Sequence, residues 1–180
     1  MQAKLERLFN ECINELALIG IPLEEMGETH ITISRRATKR YGCCKQEEPD
    51  KKTRYREKGI IKYGKYNKHT IEISSWVMEL NEDIIKNTIM HEIIHCMPFC
   101  NNHGTEFKKY ARYINKKLGY NISRVGNREE DCRKSNIDYQ EKAKSKYKIE
   151  CKTCGQTFYR QRIAKNFTRK YRCGKCKRKI

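Results

Sequence analysis

The fold of this chain is decided by the stretch His91-Glu92-Ile93-Ile94-His95. On a helix, residues four apart project from one face about one turn apart, so His91 and His95 can bind the same metal ion. Glu92 does not compete with them as a ligand. It can instead take a proton from a water molecule on that metal. These residue types at this spacing predict a zinc site on a helix.

A third histidine completes the pattern. Seven residues separate His95 from His103, and a short loop through Asn101 and Asn102 can fold His103 back toward the helix. Three protein ligands leave the fourth position of a tetrahedral zinc ion open for water, which distinguishes a catalytic zinc from a structural one. The alternative is that these histidines are core residues satisfied by hydrogen bonds.

The sequence around the motif predicts a buried helix over residues 82–97. Asn81 is a candidate N-cap, and Glu82 and Asp83 place negative charge in the first turn. Pro98 is expected to end the helix. Apolar residues lie on nearly every side of it: Ile84, Ile85, Ile89, Met90, Ile93 and Ile94. The polar side chains of the motif therefore need partners, because unpaired polar groups are costly to bury.

The position of His103 also discriminates between families. A metzincin carries a glycine and a histidine at fixed short offsets after the second histidine, and this chain does not. Residues 91–107 instead closely resemble the SprT-like domain family, which includes bacterial SprT proteins and the eukaryotic Spartan proteases that act on proteins crosslinked to DNA. Residues 33–37, 40–42 and 70–74 resemble the family's strands, and the resemblance extends to the C-terminal zinc ribbon found in many members, so it covers most of the chain.

The resemblance implies an α+β, zincin-like domain with an N-terminal helix, a small antiparallel sheet, the zinc helix and a following helix, together with a C-terminal β-ribbon zinc domain. It also implies a zinc-dependent endopeptidase that acts on DNA-associated or DNA-crosslinked proteins. The residues themselves assign the roles: His91, His95 and His103 hold the metal, and Glu92 is the general base.

Periodicity predicts the remaining elements of residues 1–122. A first helix is predicted from apolar residues at helical spacing, and Gly20 and Pro22 are its stop signals. These apolar residues are Leu5, Leu8, Phe9, Cys12, Ile13 and Leu16. Residues 30–34 and 70–74 alternate as strands, and Ile60, Ile61 and Tyr63 can add another. A helix after the motif, with Thr105 as N-cap and Gly119 at its end, carries Phe107, Tyr110, Ala111, Ile114 and Leu118.

Two charged segments are open to more than one interpretation. Residues 35–65 carry 12 basic and 4 acidic side chains, so they form either a solvated hairpin or loop or a second nucleic-acid contact. Residues 123–146 are expected to be a charged linker or an exposed helix between the first domain and residues 147–180.

Two C-x-x-C pairs, separated by 18 residues, predict a second metal site. The four thiolates of Cys151, Cys154, Cys173 and Cys176 fill a tetrahedral zinc ion, so this site should be structural. Gly155 and Gly174 can supply backbone freedom at the two turns. A domain of about 34 residues is too small for an independent core, so its folding should depend on metal. The sequence thus predicts two zinc ions, one catalytic and one structural.

Residues 147–180 also carry 12 Lys and Arg against one Glu, within a chain of net charge +18. Such a basic domain is expected to attract nucleic acid, most simply DNA. Aromatic rings among arginines can stack on bases while the charges contact phosphates. The candidate contacts are Tyr159, Arg160, Arg162, Arg169, Tyr171 and Arg172. Some of the aromatic rings, Phe158 and Phe167 included, are also expected to form the small core of the ribbon.

The sequence shows no apolar run of membrane-spanning length and no apolar signal-peptide core, so we expect a cytoplasmic, nucleic-acid-associated protein without membrane contact. Ten cysteines without an export signal favour metal binding over disulfides. Cys96 and Cys100 flank the turn that follows the motif, and they are either alternative metal ligands or, as we favour, packing residues. Tyr41 or a nearby arginine is a candidate to stabilise an oxyanion.

Two other functions fit the same residues. One is a non-catalytic, zinc-containing DNA-binding or regulatory protein, although Glu92 has no evident purpose in such a protein. The other is a metallohydrolase that acts on something other than a peptide. The sequence does not reveal the oligomeric state or the natural substrate.

Overall fold

The computed structural model describes residues 1–139 and 147–179, and the chain divides into two compact units, Met1–Asp138 and Tyr139–Ile180. Both units combine helices with small sheets, which confirms the predicted α+β class. In the first unit the elements follow in the order α1 (Gln2–Leu18), β1 (Glu28–Ser34), β2 (Gly42–Pro49), β3 (Arg54–Glu57), β4 (Ile60–Tyr63), β5 (Tyr66–Ser74), α2 (Glu82–Ile94), α3 (Thr105–Leu118) and α4 (Arg128–Lys134).

The main sheet has three strands in the order β1-β5-β2. Strands β1 and β5 are parallel, with Ile31 opposite Ile71, and β2 runs antiparallel to β5. The prediction of a purely antiparallel sheet is therefore wrong. The physical reason is that β5 carries the fully buried Ile71 and Ile73, so it takes the centre of the sheet, between two strands that precede it in the chain.

Helix α2 lies at the centre of the first unit and contacts α1, α3, β2 and β5. Its buried side chains include Ile85, Ile89, Met90, Ile93 and Ile94, as its apolar sequence predicts. Helix α1 turns one apolar face inward through Leu5, Leu8, Cys12 and Leu16, while Phe9 and Ile13 are half-buried. The core is thus built around the helix that carries the histidine motif.

The ends of the helices differ from the predicted ones in two places. Helix α2 ends at Ile94 with His95 as its C-cap, so the prediction that it runs to Met97 and is stopped by Pro98 is wrong. A tighter turn takes over, because the Cys96 N–H donates to the carbonyl of Ile93, three residues back. The N-cap of α3 is Gly104, and Thr105 is the first helical residue.

Other predicted helix boundaries are confirmed. Asn81 is the N-cap of α2, although its side chain donates to the carbonyl of Lys134 at the end of α4 instead of capping its own helix. Gly119 ends α3 in the left-handed conformation, and its N–H donates to the carbonyl of Asn115. Helix α1 ends at Leu18, just before Gly20.

The basic segment of residues 35–65 contributes strand β2 and then an antiparallel hairpin of β3 and β4. The predicted strand around Ile60 and Ile61 exists as β4, but it pairs with β3 and not with the main sheet. Both isoleucines are exposed, and the basic side chains of the hairpin lie on the surface. These observations favour a solvated hairpin, and the alternative of a nucleic-acid contact stays a prediction.

The second unit contains an antiparallel pair, β6 (Tyr147–Glu150) and β7 (Thr157–Arg160), and one turn of helix, α5 (Phe167–Lys170). Of the segment predicted as a linker or exposed helix, residues 128–134 form α4 in the first unit, and residues 140–146 lie outside the described residues. Within the described part of the chain, no helix combines the length and apolar character needed to cross a bilayer.

We expect Leu8→Ala to lower the free energy of unfolding by about 2–5 kcal/mol, because Leu8 is fully buried and its truncation leaves a cavity. Urea denaturation at a fixed zinc concentration measures this, since bound metal shifts apparent stability. Leu18→Ala, on the same helix but exposed, is the control and should change the value by less than about 0.5 kcal/mol. Equal losses in the two variants would contradict this packing of α1.

Candidate functional site

The structure brings the three histidines of the motif together at the end of α2. The Nε2 atom of His103 lies 2.9 Å from Nε2 of His91 and 3.3 Å from Nε2 of His95. A tetrahedral zinc ion with bonds of about 2.0–2.1 Å separates its ligands by about 3.3–3.4 Å. The arrangement of the three imidazoles therefore fits a zinc ion.

Hydrogen bonds to the backbone orient two of the rings. Nδ1 of His95 donates to the carbonyl of Cys100 at 2.7 Å, which leaves Nε2 as the nitrogen with the free lone pair. His91 hydrogen-bonds to the backbone of Ser123. Such partners fix the tautomer and the direction of each ring before any metal binds.

One aromatic side chain contacts all three histidine rings. The centroid of Phe107 lies 4.9 Å from that of His91 and 4.7 Å from those of His95 and His103. The sequence predicts Phe107 only as an apolar residue of α3, and it is indeed buried. In the structure it forms an apolar wall behind the three rings, which limits their rotation.

The loop that carries His103 is held by amide side chains. Gln46 on β2 donates from Nε2 to the carbonyl of His95 and to the side-chain oxygen of Asn101, at 3.1 and 3.0 Å. Asn101 in turn donates to the carbonyl of Tyr63 at 2.6 Å. Sequence reasoning missed Gln46, because a lone glutamine in a basic segment gives no signal. Asn101 was predicted only as a turn residue.

Burial keeps the three imidazoles neutral. The pKa of His91 is lowered to about 4, mainly by desolvation and further by the neighbouring His95 and His103. Desolvation also lowers the pKa values of His95 and His103, and Arg124 adds to the effect at His103. Neutral imidazole is the form that binds metal, so near neutral pH the cluster needs no deprotonation to do so.

Glu92 is 5% exposed and lies beside strand β2. Desolvation raises the pKa of its carboxyl group to about 8, although the backbone N–H of Cys44 and the charge of Arg40 favour the ionised form. A Cβ on Gly42 would lie 2.8 Å from Oε1 of Glu92, so only glycine leaves room for this carboxyl group. Its protonation state can therefore change near neutral pH, which suits a general acid–base group.

The histidines and Glu92 line a cleft of about 1190 Å³ in the first unit. Tyr41 also lines it, but its hydroxyl donates to Oδ2 of Asp131 at 2.6 Å, and desolvation followed by this bond raises its pKa. The phenol is thus already engaged by a carboxylate. Arg124 lies exposed on the cleft wall, so its guanidinium group can contact a negatively charged group in the cleft.

The four cysteines of the C-terminal pairs lie together in the second unit. Sγ of Cys151 is 3.6 Å from Sγ of Cys176, and Sγ of Cys154 is 3.6 Å from Sγ of Cys173. Zinc–sulfur bonds of about 2.3 Å place tetrahedral ligands about 3.8 Å apart. These four side chains therefore also fit a zinc ion.

The two cysteine turns are built alike. The N–H of Gly155 donates to the carbonyl of Cys151, and the N–H of Lys177 donates to that of Cys173. Both donors have a positive φ, 66° and 60°, whereas Gly174 does not, so Gly155 but not Gly174 supplies the predicted backbone freedom. Backbone N–H groups of Cys176 and Lys175 point at the Cys173 thiol and lower its pKa to about 6, which favours the metal-binding thiolate.

The candidate nucleic-acid residues of the second unit divide into two groups. Arg160 lies over the rings of Phe167 and Tyr171, and these two rings stack at 4.9 Å. These two rings, together with Arg160 and Arg162, line a cavity of about 390 Å³. The remaining three, Tyr159, Arg169 and Arg172, are exposed and outside this cavity. Phe167 is buried, so part of the aromatic set forms the core of the unit.

Cys96 and Cys100 do not join the three histidines. Cys100 is fully buried and contributes its carbonyl to His95, and the thiol of Cys96 points to Cys44 on β2. Among the described residues, the histidine cluster contains only His91, His95 and His103. A fourth protein ligand is thus not part of this group, and the alternative that either cysteine binds this metal loses its support.

Comparison with protein families identifies the family of the first unit. The SprT-like family model matches residues 4–126, which is more than half of the chain and includes all three histidines and Glu92. The cysteine turns lie outside the matched residues. No curated protein matches the chain.

We expect His103→Gln to reduce the zinc content by one ion per chain, because an amide cannot replace the third imidazole at the cluster. Elemental analysis of the dialysed protein measures this. His30→Gln is the matched control, since His30 is exposed and pairs only with Glu28 among the salt bridges of the described residues. An unchanged zinc content in His103→Gln would show that the cluster does not hold a metal.

Proposed function

The chain belongs to the SprT-like family, and on that basis we propose that its first domain is a zinc-dependent endopeptidase. The observation that carries the proposal is the convergence of three neutral imidazoles beside a buried carboxyl group whose pKa is near neutrality. His91, His95 and His103 are the proposed ligands of a catalytic zinc ion, and Glu92 is the proposed general base.

The chemistry follows from these groups. A zinc ion held by the three imidazoles would supply a Lewis acid that polarises the scissile carbonyl and activates water. The carboxylate of Glu92 would accept the proton of the attacking water and deliver it to the nitrogen of the leaving amine. Burial raises the pKa of the Glu92 carboxyl group, which strengthens its hold on the proton between these two steps.

Strand β2 is the proposed docking edge for the substrate. It lies at the edge of the three-stranded sheet, and its residues Gly42 and Cys44 flank Glu92. An extended peptide can add to such an edge through backbone hydrogen bonds, which places its own backbone along the cleft. The substrate is therefore an extended, unfolded segment of a protein.

The second unit is the proposed targeting device. Its four cysteines hold a structural zinc ion, which lowers the net charge of residues 147–180 only to about +9. This charge, with the exposed Tyr159 and the arginines near Tyr171, suits a single-stranded nucleic acid that stacks on rings and contacts cations. The ribbon thus recruits the peptidase to DNA.

The proposed substrates are proteins bound to or crosslinked to DNA. Recruitment by the ribbon raises the local concentration of such proteins at the cleft, which is the general advantage of linking a binding module to an active site. The choice of DNA over RNA follows the family resemblance, which concerns proteins crosslinked to DNA.

We expect Glu92→Gln to lower kcat/KM for cleavage of a DNA-binding protein by about 10²- to 10⁴-fold, because glutamine cannot accept the proton. The assay follows cleavage with and without single-stranded DNA, and zinc per chain is measured on the same samples. Glu106→Gln, a half-exposed position on α3 whose carboxylate pairs with Lys109, is the control and should cleave like the wild type.

The outcomes of this experiment separate the candidate functions. Loss of cleavage in Glu92→Gln with an unchanged zinc content supports the peptidase. Full activity in this variant contradicts the role of Glu92. Absence of cleavage in wild type and variant alike, with tight DNA binding by both, supports a regulatory DNA-binding protein instead.

We expect a variant with Arg160, Arg162, Arg169 and Arg172 changed to alanine to lose most salt-sensitive DNA affinity. Each lost phosphate contact reduces the magnitude of the negative slope of log Kobs against log salt by about 0.7 for single strands, so four lost contacts should reduce it by up to about 3. Fluorescence anisotropy at several salt concentrations measures this, and the zinc content confirms that the ribbon is folded.

The start of the β3–β4 hairpin, with the turn just before it, provides a control with the same loss of charge. Lys51, Lys52, Arg54 and Arg56 are exposed, and their replacement by alanine should leave the slope nearly unchanged. A larger effect from these four residues than from the ribbon arginines would transfer the nucleic-acid site to residues 35–65.

A further inference from the structure

Three side chains outside the proposed catalytic centre form another group that can bind a metal. They are Cys44 on β2, His69 on β5 and Cys96 just after α2, and their ligand atoms all lie within 4.8 Å of one another. The two sulfur atoms are 3.5 Å apart. All three residues belong to the first unit.

The strand register explains why these side chains meet. Gln46 lies opposite His69 and Cys44 lies opposite Ile71, so Cys44 and His69 share one face of the sheet with the fully buried Ile71. Helix α2 covers that face, and the turn at its end places Cys96 there. The group therefore lies at the junction of two strands and a helix.

His69 is the most informative member of the group. It is 1% exposed, and its Nδ1 atom has no hydrogen-bond partner among the described residues. A buried polar nitrogen without a partner is rare and costs free energy. Desolvation also lowers the pKa of His69, which keeps the imidazole neutral and able to bind a metal. The backbone of Met26 provides a hydrogen bond that orients the ring.

The ligand chemistry selects zinc over most alternatives. Two cysteine sulfurs and one imidazole suit zinc, whereas calcium and magnesium prefer oxygen ligands. The two thiolates neutralise the charge of a divalent ion, so the complex can be buried without an unpaired charge. A sulfur separation of 3.5 Å is close to the roughly 3.8 Å of a tetrahedral zinc dithiolate and far from the roughly 2.05 Å of a disulfide.

We propose that Cys44, His69 and Cys96 hold a zinc ion that joins β2, β5 and the end of α2. Cys44 is partly exposed, so a water molecule can reach the fourth position. The ion stabilises the residues on which the histidine cluster depends. Cys96 directly follows His95, and Gln46, two residues from Cys44, donates to the carbonyl of His95. The proposal of this site does not rest on the proposed peptidase activity.

The number of zinc ions per full-length chain tests this site. Native mass spectrometry of reduced protein should find three ions in the wild type and two in a Cys44→Ser, Cys96→Ser variant. Cys43→Ser is the matched control, since Cys43 lies on the opposite face of β2 beside Glu72, and should retain three. A count in the double variant equal to that of the wild type would overturn the proposal.

The variant His103→Gln separates this site from the catalytic centre. A wild-type count of two that stays at two in His103→Gln and falls to one in the double variant supports the present site, while the histidine cluster is then empty. A wild-type count of two that falls to one in His103→Gln overturns the proposal, and it does so even if the double variant fails to fold.

Cobalt substitution gives a second readout on folded protein. Thiolate ligands add charge-transfer absorption that imidazole ligands do not, so His103→Gln should keep the full intensity. The Cys44→Ser, Cys96→Ser variant should lose about one third of it, since two of six thiolates in the two cysteine-containing sites are removed. Unchanged intensity in a folded double variant also overturns the proposal.

Discussion

The convergence of three imidazole nitrogens at the end of α2 is the constraint on which the rest of the first unit depends. Helical spacing alone places His91 and His95 on one face of α2, but a loop must bring His103 back to these two rings and hold it beside them. The surrounding structure provides this: the carbonyl of Cys100 orients His95, and Phe107 forms a wall behind the rings. A metal centre of this kind is only as precise as the groups that support its ligands.

Strand β2 links the sheet to the chemistry. Its glycine at position 42 leaves room for the carboxyl group of Glu92, its amide at Cys44 faces that carboxyl group, and its Gln46 holds the histidine loop. Because β2 is also an edge strand, it is the edge that we propose for docking of an extended peptide. The basic segment of residues 35–65, for which the sequence left a solvated hairpin and a nucleic-acid contact open, therefore contains the strand that shapes the cleft.

Long-range pairing accounts for the features that the sequence did not predict. The mixed sheet arises because the apolar β5 lies between two strands that precede it in the chain. The alternation of apolar and polar residues along a strand does not indicate whether its neighbour runs parallel or antiparallel. The end of α2 is the local exception: the helix stops at Ile94, before Pro98, because the Cys96 N–H donates to the carbonyl of Ile93 in a tighter turn. The cluster of Cys44, His69 and Cys96 gave no motif, since its members are up to 52 positions apart.

The sequence by itself determined the helix of the histidine motif, the amphipathic helices on either side of it, the ligand types and the two cysteine turns. Each of these depends on contacts between residues a few positions apart, where spacing and side-chain chemistry suffice. Only the tertiary structure decided the strand order, the raised pKa of Glu92 and the partners of the histidine rings. Burial and register are properties of residues distant in sequence, and they exist only after the chain has folded.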